Sequence, residues 1–440
     1  MTRTLINDLN NHIDEVVTVK GWLQTLRDQK NMQFLILRDR TGLVQVAHYR
    51  PEHPELGEHI SALGTESALT VTGKVVKNEV VKLGGLEIQL HDLVIENNAE
   101  APLPYDPFDQ ENMPAIDFRM DWRYLDLRRD QNLLLFRVQT LLEHAMREFW
   151  VNEGFIEIHS PKIMGSPSES GAELFEIDYF ERKAYLAQSP QFYKQMAMAA
   201  GFERVFEVGP VFRADPSYTS RHMTEFTGLD IEISWIESHE DVLKFTERWL
   251  NYAFQRVKDE LDEEIMKVFG IEVTVPEVPF PRLTMAETLD VLKKVGYDLP
   301  KERKGDLDPG GERAIAEYVK NEFNNEFFFL IDWPITVRPF YHMRHPDNPD
   351  LTRSFDLIAG GLEIATGAQR EHRYEVLKKQ ALEYGLGLES IQFYLDFFRY
   401  GCPPHGGFGM GLSRLLMVLL KLPNIREAVY LFRGPNRLHP

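Results

Sequence analysis

Three arginine-bearing segments and a pair of carboxylates carry the most chemistry in this 440-residue chain. Arg213 lies in Val211-Phe212-Arg213, Arg221 stands beside His222, and Arg414 ends Gly411-Leu412-Ser413-Arg414, each near an expected strand or helix end. Guanidinium groups suit polyphosphate because their planar donors match phosphate oxygens two at a time and stay charged. Taken singly, each arginine reads better as a surface salt bridge. Asp356 and Glu363 flank a strand turn, with Thr366 three residues beyond. Such oxygens suit magnesium, which keeps several waters and commonly takes one or two carboxylates plus substrate phosphates. Taken alone, two carboxylates more often read as solvated or ion-paired. No GxxxxGK[ST] loop occurs, and Gly406 to Gly411 is spaced GxGxG rather than GxGxxG, without a βαβ setting. Any use of ATP must then rest on side-chain cations and metal.

The elements that must position these groups fall into two regions. Up to about residue 100, short apolar runs cover Val16 to Leu26, Gln33 to Asp39, Leu43 to His48, Ala68 to Lys77 and Leu86 to Ile95, punctuated by glycines. That pattern predicts a five-stranded barrel of the oligonucleotide-binding (OB) type. Residues 101–130 read as a linker, with Pro102, Pro104, Pro107 and Pro114 stiffening an acidic stretch. From 131 to 440 the chain reads as one α+β domain, an antiparallel sheet with helices upon it. Leu134, Val138, Leu141, Leu142, Ala145 and Phe149 mark a long amphipathic helix, stopped near Gly154 before the strand Phe155 to Ile158. Ser238-x-x-Asp241 and Thr284-x-x-Glu287 are capping boxes that predict two more helix starts. Strands are expected over Phe327 to Ile331 and Phe355 to Ile358, then a Gly-rich turn and a helix from Gly411 to about Leu420.

A net charge of -19 excludes a protein that coats nucleic acid without selectivity, so any RNA contact must be local. Arg119, Arg123, Arg128 and Arg129 read equally as such a patch or as a salt-bridged helix start. Cys402 is the only cysteine, which excludes an intrachain disulfide and a cysteine-based zinc cluster. No stretch is apolar enough to span a bilayer, and the N-terminus lacks a secretory apolar core, so a cytoplasmic protein is expected.

In this order the segments resemble the class II aminoacyl-tRNA synthetases, in the aspartyl, asparaginyl and lysyl subgroup. The long helix with Glu157-Ile158-His159-Ser160-Pro161 is similar to that family's first motif and implies a homodimer. Val211-Phe212-Arg213-Ala214-Asp215 through Arg221-His222-Met223-Thr224-Glu225-Phe226 resembles the second, and Gly409 to Arg414 the third. The resemblance implies that Arg213 contacts the substrate carboxylate and the α-phosphate, and that Arg221 and His222 reach the outer phosphates. It implies further that Phe226 stacks on adenine while Arg414 covers it and neutralises the γ-phosphate. Asp356, Glu363 and Thr366 match the magnesium positions. The family usually has an acidic residue at Ser413, which steadies the following arginine, and usually Arg-Asp where Arg433-Gly434 stands.

The segments Gln188 to Gln195 and Gly361 to Arg370 resemble the aspartyl branch, in the compact archaeal and eukaryotic form. There Lys194 and Arg370 would grip the substrate's side-chain carboxylate, with Gln191 in the same pocket, and two cations would be compensated by a carboxylate but not by an amide. Asp230 and Glu169 match ammonium-binding positions, Glu169 from a lid around Gly165 to Gly171. The barrel matches the anticodon-binding domain, with Phe34 and Gln45 at base-contacting positions. Phe34 reads equally as a base-stacking residue or a buried strand residue, and Gln45 nearly equally as a base reader or an exposed strand residue. Gln24 stands where selective relatives can carry tryptophan, which favours charging of tRNA(Asn) alongside tRNA(Asp). The implied activity is ATP- and magnesium-dependent aspartate activation followed by transfer to tRNA. Three rivals remain: an asparaginyl enzyme, against which Lys194 speaks; a paralogue making free asparagine, against which the barrel speaks; and a non-catalytic RNA-binding paralogue, suggested by Ser413.

Overall fold

The computed structural model describes residues 2–166, 173–300 and 305–440, which form two compact units, 1–115 and 116–440. In the first unit, β1 (Val16–Asp28), β2 (Met32–Asp39), β3 (Gly42–Tyr49), β4 (Ala68–Lys77) and β5 (Leu86–Asn97) close a barrel in the order β1-β2-β3-β5-β4. Alternation builds its core: Leu35 and Leu37 of β2, Val44 and Val46 of β3, and Val71 and Val75 of β4 all point inward. The helix α1 (Pro54–Ser61) adds Ile60 to that core.

In the second unit, residues 116–130 are not extended linker. They form α2 (Ile116–Asp121) and α3 (Arg123–Asp126) and lead into α4 (Asp130–Asn152). Nor do Arg119 and Arg123 face outward as an RNA patch would require. Arg119 and Arg123 are buried, share Asp126 between them, and reach Glu427 and the Val429 and Tyr430 carbonyls. They ion-pair inward because Asp126 is itself buried and needs compensation.

The chain continues through β6 (Ile156–Glu157), β7 (Ile163–Met164), β8 (Glu176–Tyr179), β9 (Arg182–Leu186), α5 (Gln191–Ala199), β10 (Arg204–Phe212) and β11 (Glu225–Ser234). After α6 (His239–Phe269) come β12 (Arg282–Thr284), α7 (Met285–Lys294), α8 (Pro309–Phe323), β13 (Phe327–Ile331), β14 (Ser354–Ala359) and β15 (Leu362–Arg370). The last elements are α9 (Tyr374–Glu383), α10 (Leu388–Phe398), β16 (His405–Gly411) and α11 (Leu412–Leu419). Both expected capping boxes form, at the starts of α6 and α7.

The main sheet has the order β12-β13-β14-β15-β16-β11-β10-β6. Its six central strands are antiparallel, and β12 and β6 pair in parallel at the two edges. One face carries Leu229, Ile231, Ile233, Phe408 and Met410 onto α4, α6 and α11, whose Trp150, Trp249 and Leu416 complete the largest core. The Gly-rich segment is strand β16, not the expected turn. Its glycines are needed because β16 is wedged between β11 and β15: a Cβ on Gly407 would lie 2.0 Å from the Ile231 carbonyl oxygen and 2.4 Å from Glu232 Oε2.

Candidate active site

The face of the sheet opposite the large core gathers the polar side chains. Along β11 the residues Phe226, Gly228, Asp230 and Glu232 share one face while Leu229, Ile231 and Ile233 take the other. Register places Asp230 opposite both Glu207 of β10 and Gly409 of β16, and Thr366 of β15 opposite both Gly409 and Asp356 of β14. A cavity above this face is lined by Gln191, Arg213, Arg221, His222, Phe226, Asp230, Glu363, Thr366, Arg370 and Arg414. Residues expected from distant parts of the sequence thus meet in one site. Asp356 borders an adjoining cavity that shares Arg221, His222, Glu363 and Arg414. Glu169 lies outside the described residues.

At one end sits a buried ion network. Lys194 Nζ donates to Asp230 Oδ1 at 2.9 Å and to the Phe408 carbonyl at 2.8 Å, and lies 3.5 Å from Glu232 Oε2. Arg370 donates to Glu232 at 2.9 Å, to the Gly407 carbonyl at 3.0 Å and toward His342 Nε2 at 3.1 Å. Arg370 lines the cavity, whereas Lys194 is only 1% exposed and stands behind its wall. The two cations are therefore already matched by two protein carboxylates, so a charge count by itself does not require a substrate carboxylate. Glu232 is completely buried, and Arg370 and Lys194 hold its carboxyl below the ordinary range against the opposing effect of burial. Glu232 belongs to none of the motifs that stand out in the sequence. Its signal was the strict alternation of β11, where a polar residue two positions beyond Asp230 had to share Asp230's face. Burial drives His342 well below the usual histidine range, so it is neutral beside Arg370. Gln191 donates to Gln195, which also meets His405 and Tyr394.

At the other end the cations are poised around open space. Arg213 lies over the Phe226 ring at 5.6 Å. Arg414 donates to the Glu363 main-chain carbonyl at 2.8 Å, with Glu363 Oε1 at 3.8 Å. Burial works against the Arg414 charge and Glu363 supports it. This anchor supplies the steadying contact that Ser413, buried and uncharged, does not. Arg221 Nη1 donates to Glu312 Oε2 at 2.8 Å. His222 is held by Thr219 at 2.6 Å, and burial lowers its pKa despite Asp215.

Asp356 Oδ2 accepts from Arg338 at 2.6 Å, while its buried Oδ1 has no hydrogen-bond partner. Burial raises its pKa to about 6, with Arg338 opposing and Glu363 adding to the rise. Thr366 donates to Glu363 at 3.1 Å. An orphaned carboxylate oxygen near a second carboxylate and a hydroxyl fits a hard divalent cation. Among the described residues no cluster of three or more histidine, cysteine or acidic side chains forms a protein-only metal cage.

On the barrel, Phe34 and Gln45 lie on the outer face of β2 and β3, half-buried, opposite in direction to the core residues Leu35 and Val46. Phe34 is thus not a core residue. Gln45 donates to Glu87 at 2.6 Å, and Gln24 accepts from Arg38 at 3.3 Å on the same wall.

Residues 115–433 match the family described as tRNA synthetases class II (D, K and N), and residues 17–96 match the OB-fold nucleic acid binding domain. An aspartate–tRNA(Asp/Asn) ligase of Methanopyrus kandleri is 44% identical, covering 97% of this chain and 96% of the relative. An aspartate–tRNA(Asp) ligase of Thermococcus kodakarensis is 41% identical, covering 96% of each. Among solved structures, an asparaginyl-tRNA synthetase of Pyrococcus horikoshii complexed with asparaginyl-adenylate superposes with a TM-score of 0.91 at 32% identity, covering both chains fully. The aspartyl-tRNA synthetase of Entamoeba histolytica superposes at 0.88, also at 32% identity, over 100% of this chain and 93% of that one. Backbone shape is thus shared by aspartyl and asparaginyl enzymes, and the side chains must tell them apart. The chain belongs to the class II aminoacyl-tRNA synthetases of the aspartyl, lysyl and asparaginyl subgroup, ligases that use ATP.

Proposed function

We propose that this enzyme activates L-aspartate as aspartyl-adenylate and transfers it to the 3′ end of tRNA(Asp). The observation that carries the aspartate assignment is the Lys194–Asp230–Glu232–Arg370 network at the end of a cavity that also holds Arg213 and Arg414. Arg370 offers only donors to the cavity, and Glu232, the nearby acceptor, is engaged by both cations. A substrate carboxylate, an acceptor at both oxygens, fits such a wall. An asparagine NH2 would instead set its own donors against those of Arg370 and leave polar hydrogens unmet there. The relatives named as aspartate ligases support the same choice.

In the first step the α-carboxylate attacks the α-phosphate and pyrophosphate leaves. Arg213 aligns the two reacting groups, while Arg221 and Arg414 neutralise the departing phosphates, so catalysis is mostly orientation and charge stabilisation. Phe226 supplies a stacking surface for adenine, Gln191 a wall of the amino-acid pocket, Asp230 an acceptor for the ammonium group with Glu169, and His222 a donor to the outer phosphates. Asp356, Glu363 and Thr366 would hold magnesium, which supplies positive charge to the leaving phosphates. In the second step the terminal ribose hydroxyl of tRNA attacks the adenylate carbonyl, the acyl–phosphate bond breaks, and AMP leaves as the hydroxyl proton is released.

The barrel's outer face is read as the anticodon surface, with Phe34 stacking on a base and Gln45 reading an edge. A second reading, in which tRNA(Asn) is also charged, is favoured by Gln24, a small polar residue on that wall. We read the enzyme as a cytoplasmic homodimer. Exposed Val151 and Ile156 near the open edge strand β6 support the dimer, and the free buried thiol of Cys402 needs no oxidising compartment. Among the described residues no helix is long and apolar enough to cross a membrane.

The test is ATP–pyrophosphate exchange with magnesium and aspartate, asparagine or no amino acid. Exchange with aspartate alone is expected. Preference for asparagine would overturn the pocket assignment, and no exchange with either would point to a non-catalytic paralogue. Charging of both tRNA transcripts separates the two readings of tRNA choice.

A further inference from the structure

Glu312 is buried at 7% exposure, outside every motif that the sequence singles out, and it faces the phosphate side of the site. It sits in the first turn of α8, whose start is fixed from several directions. Asp308 caps the helix by accepting from the Gly311 amide at 2.9 Å, and Tyr297 donates to the same Asp308 carboxylate at 2.7 and 2.9 Å. The helix packs through Ile315 and Val319 onto Phe328, Leu330 and Ile358 of the sheet. At the β14–β15 turn, Gly361 lies against Arg313, so that a Cβ there would come within 3.2 Å of its Cγ. The Glu312 carboxylate is thus tied to the strands that carry Asp356 and Glu363.

From that fixed base Glu312 takes only one edge of Arg221. Nη1 is engaged at 2.8 Å, and Nε and Nη2 make no hydrogen bond to a described residue. Arg221 itself is carried on the segment between β10 and β11, where a long side chain would otherwise sample many rotamers and lose that freedom on binding. We propose that Glu312 is a positioning residue for triphosphate binding, holding Arg221 by one edge so that its other edge is ready for the outer phosphates. The inference rests on the reading of Arg221 as a phosphate ligand. It predicts that Glu312 acts on ATP and pyrophosphate through Arg221 and not on aspartate.

The experiment is ATP–pyrophosphate exchange on the full-length enzyme, with KM for ATP, KM for aspartate and the magnesium half-saturation measured separately. The variants are Glu312→Gln, Glu312→Ala, Arg221→Ala and the double alanine variant. Glu312→Ala should raise the ATP KM about tenfold, as expected for loss of one charged hydrogen bond, with the aspartate KM unchanged. The isosteric Glu312→Gln, which keeps an acceptor, should recover part of that loss. The double variant should be no worse than Arg221→Ala alone, because both act through one contact. Multiplying defects, equal effects on both substrates, an unchanged ATP KM in Glu312→Ala, or a shift confined to magnesium dependence would each overturn the proposal. A silent Arg221→Ala in an active enzyme would instead remove the phosphate reading of the arginine, and the proposal with it.

Discussion

The Arg213 guanidinium makes no hydrogen bond to a described residue and stands above Phe226, while its main-chain amide donates to the Thr224 carbonyl; a free head on a fixed backbone is what a group reserved for substrate requires. Replacing it with alanine should cost about 100- to 1000-fold in adenylate formation, the usual effect of losing one donor at a developing charge, with the melting temperature nearly unchanged. Single-turnover adenylate synthesis beside a thermal melt checks both halves. Lys194 differs because it is buried against Asp230 and Glu232. Lys194→Met should raise the aspartate KM more than the ATP KM, and it should also destabilise the catalytic unit by about 3–5 kcal/mol, since two carboxylates lose a partner. Urea unfolding together with exchange kinetics would reveal a purely structural lysine, for which both KM values move alike. Ser413→Ala should leave the ATP KM within about twofold, because Arg414 is anchored by the Glu363 carbonyl and a hydroxyl adds at most a weak contact.

At the scale of elements, α6 shows how local chemistry and burial combine. Ser238 and Asp241 form a reciprocal cap, and Ser238→Ala should cost about 1 kcal/mol in urea unfolding. The next residue, His239, is buried with neither ring nitrogen meeting a partner, and burial lowers its pKa to about 4. Burial lowers His405, on β16, to about 4 as well. Unfolded histidine titrates near 6.5, so between pH 6.5 and 4 the unfolded chain binds protons that the native state refuses. Stability is therefore retained above pH 6.5 and lost as the pH falls through this window. The melting temperature of the catalytic unit should drop between pH 7 and pH 5, and His239→Leu should flatten that drop. An identical pH slope in the variant would assign the effect to other groups.

For the whole molecule, the two units divide the work. The outer barrel wall bears Phe34 and Gln45, while every group proposed for adenylate chemistry belongs to residues 116–440. Phe34→Ala should therefore lower tRNA charging by about 5- to 100-fold, the range for one lost base stack, and leave ATP–pyrophosphate exchange intact. Parallel charging and exchange assays test this directly, and an equal loss in both would mean that the residue supports the fold instead. With a net charge of -19, the chain must meet RNA through local contacts, and the charging KM for tRNA should rise with salt while the aspartate KM does not.

The sequence by itself determined the barrel strands, the capped starts of α6 and α7 and the three arginine-bearing segments, because these depend on local periodicity, side chains a few residues apart and short motifs. It did not reveal that Arg119 and Arg123 face inward, since their partners Glu427, Val429 and Tyr430 lie some three hundred positions away. Glycine as a turn signal suggests a Gly-rich turn before the final helix, whereas in β16 crowding between two neighbouring strands is what demands glycine. Along the sequence Lys194 and Arg370 stand as cations with no partner in view. Only the tertiary structure placed Glu232 between them and set Glu312 against Arg221, because strand register and helix packing, which join residues distant along the chain, decide which charges share a site.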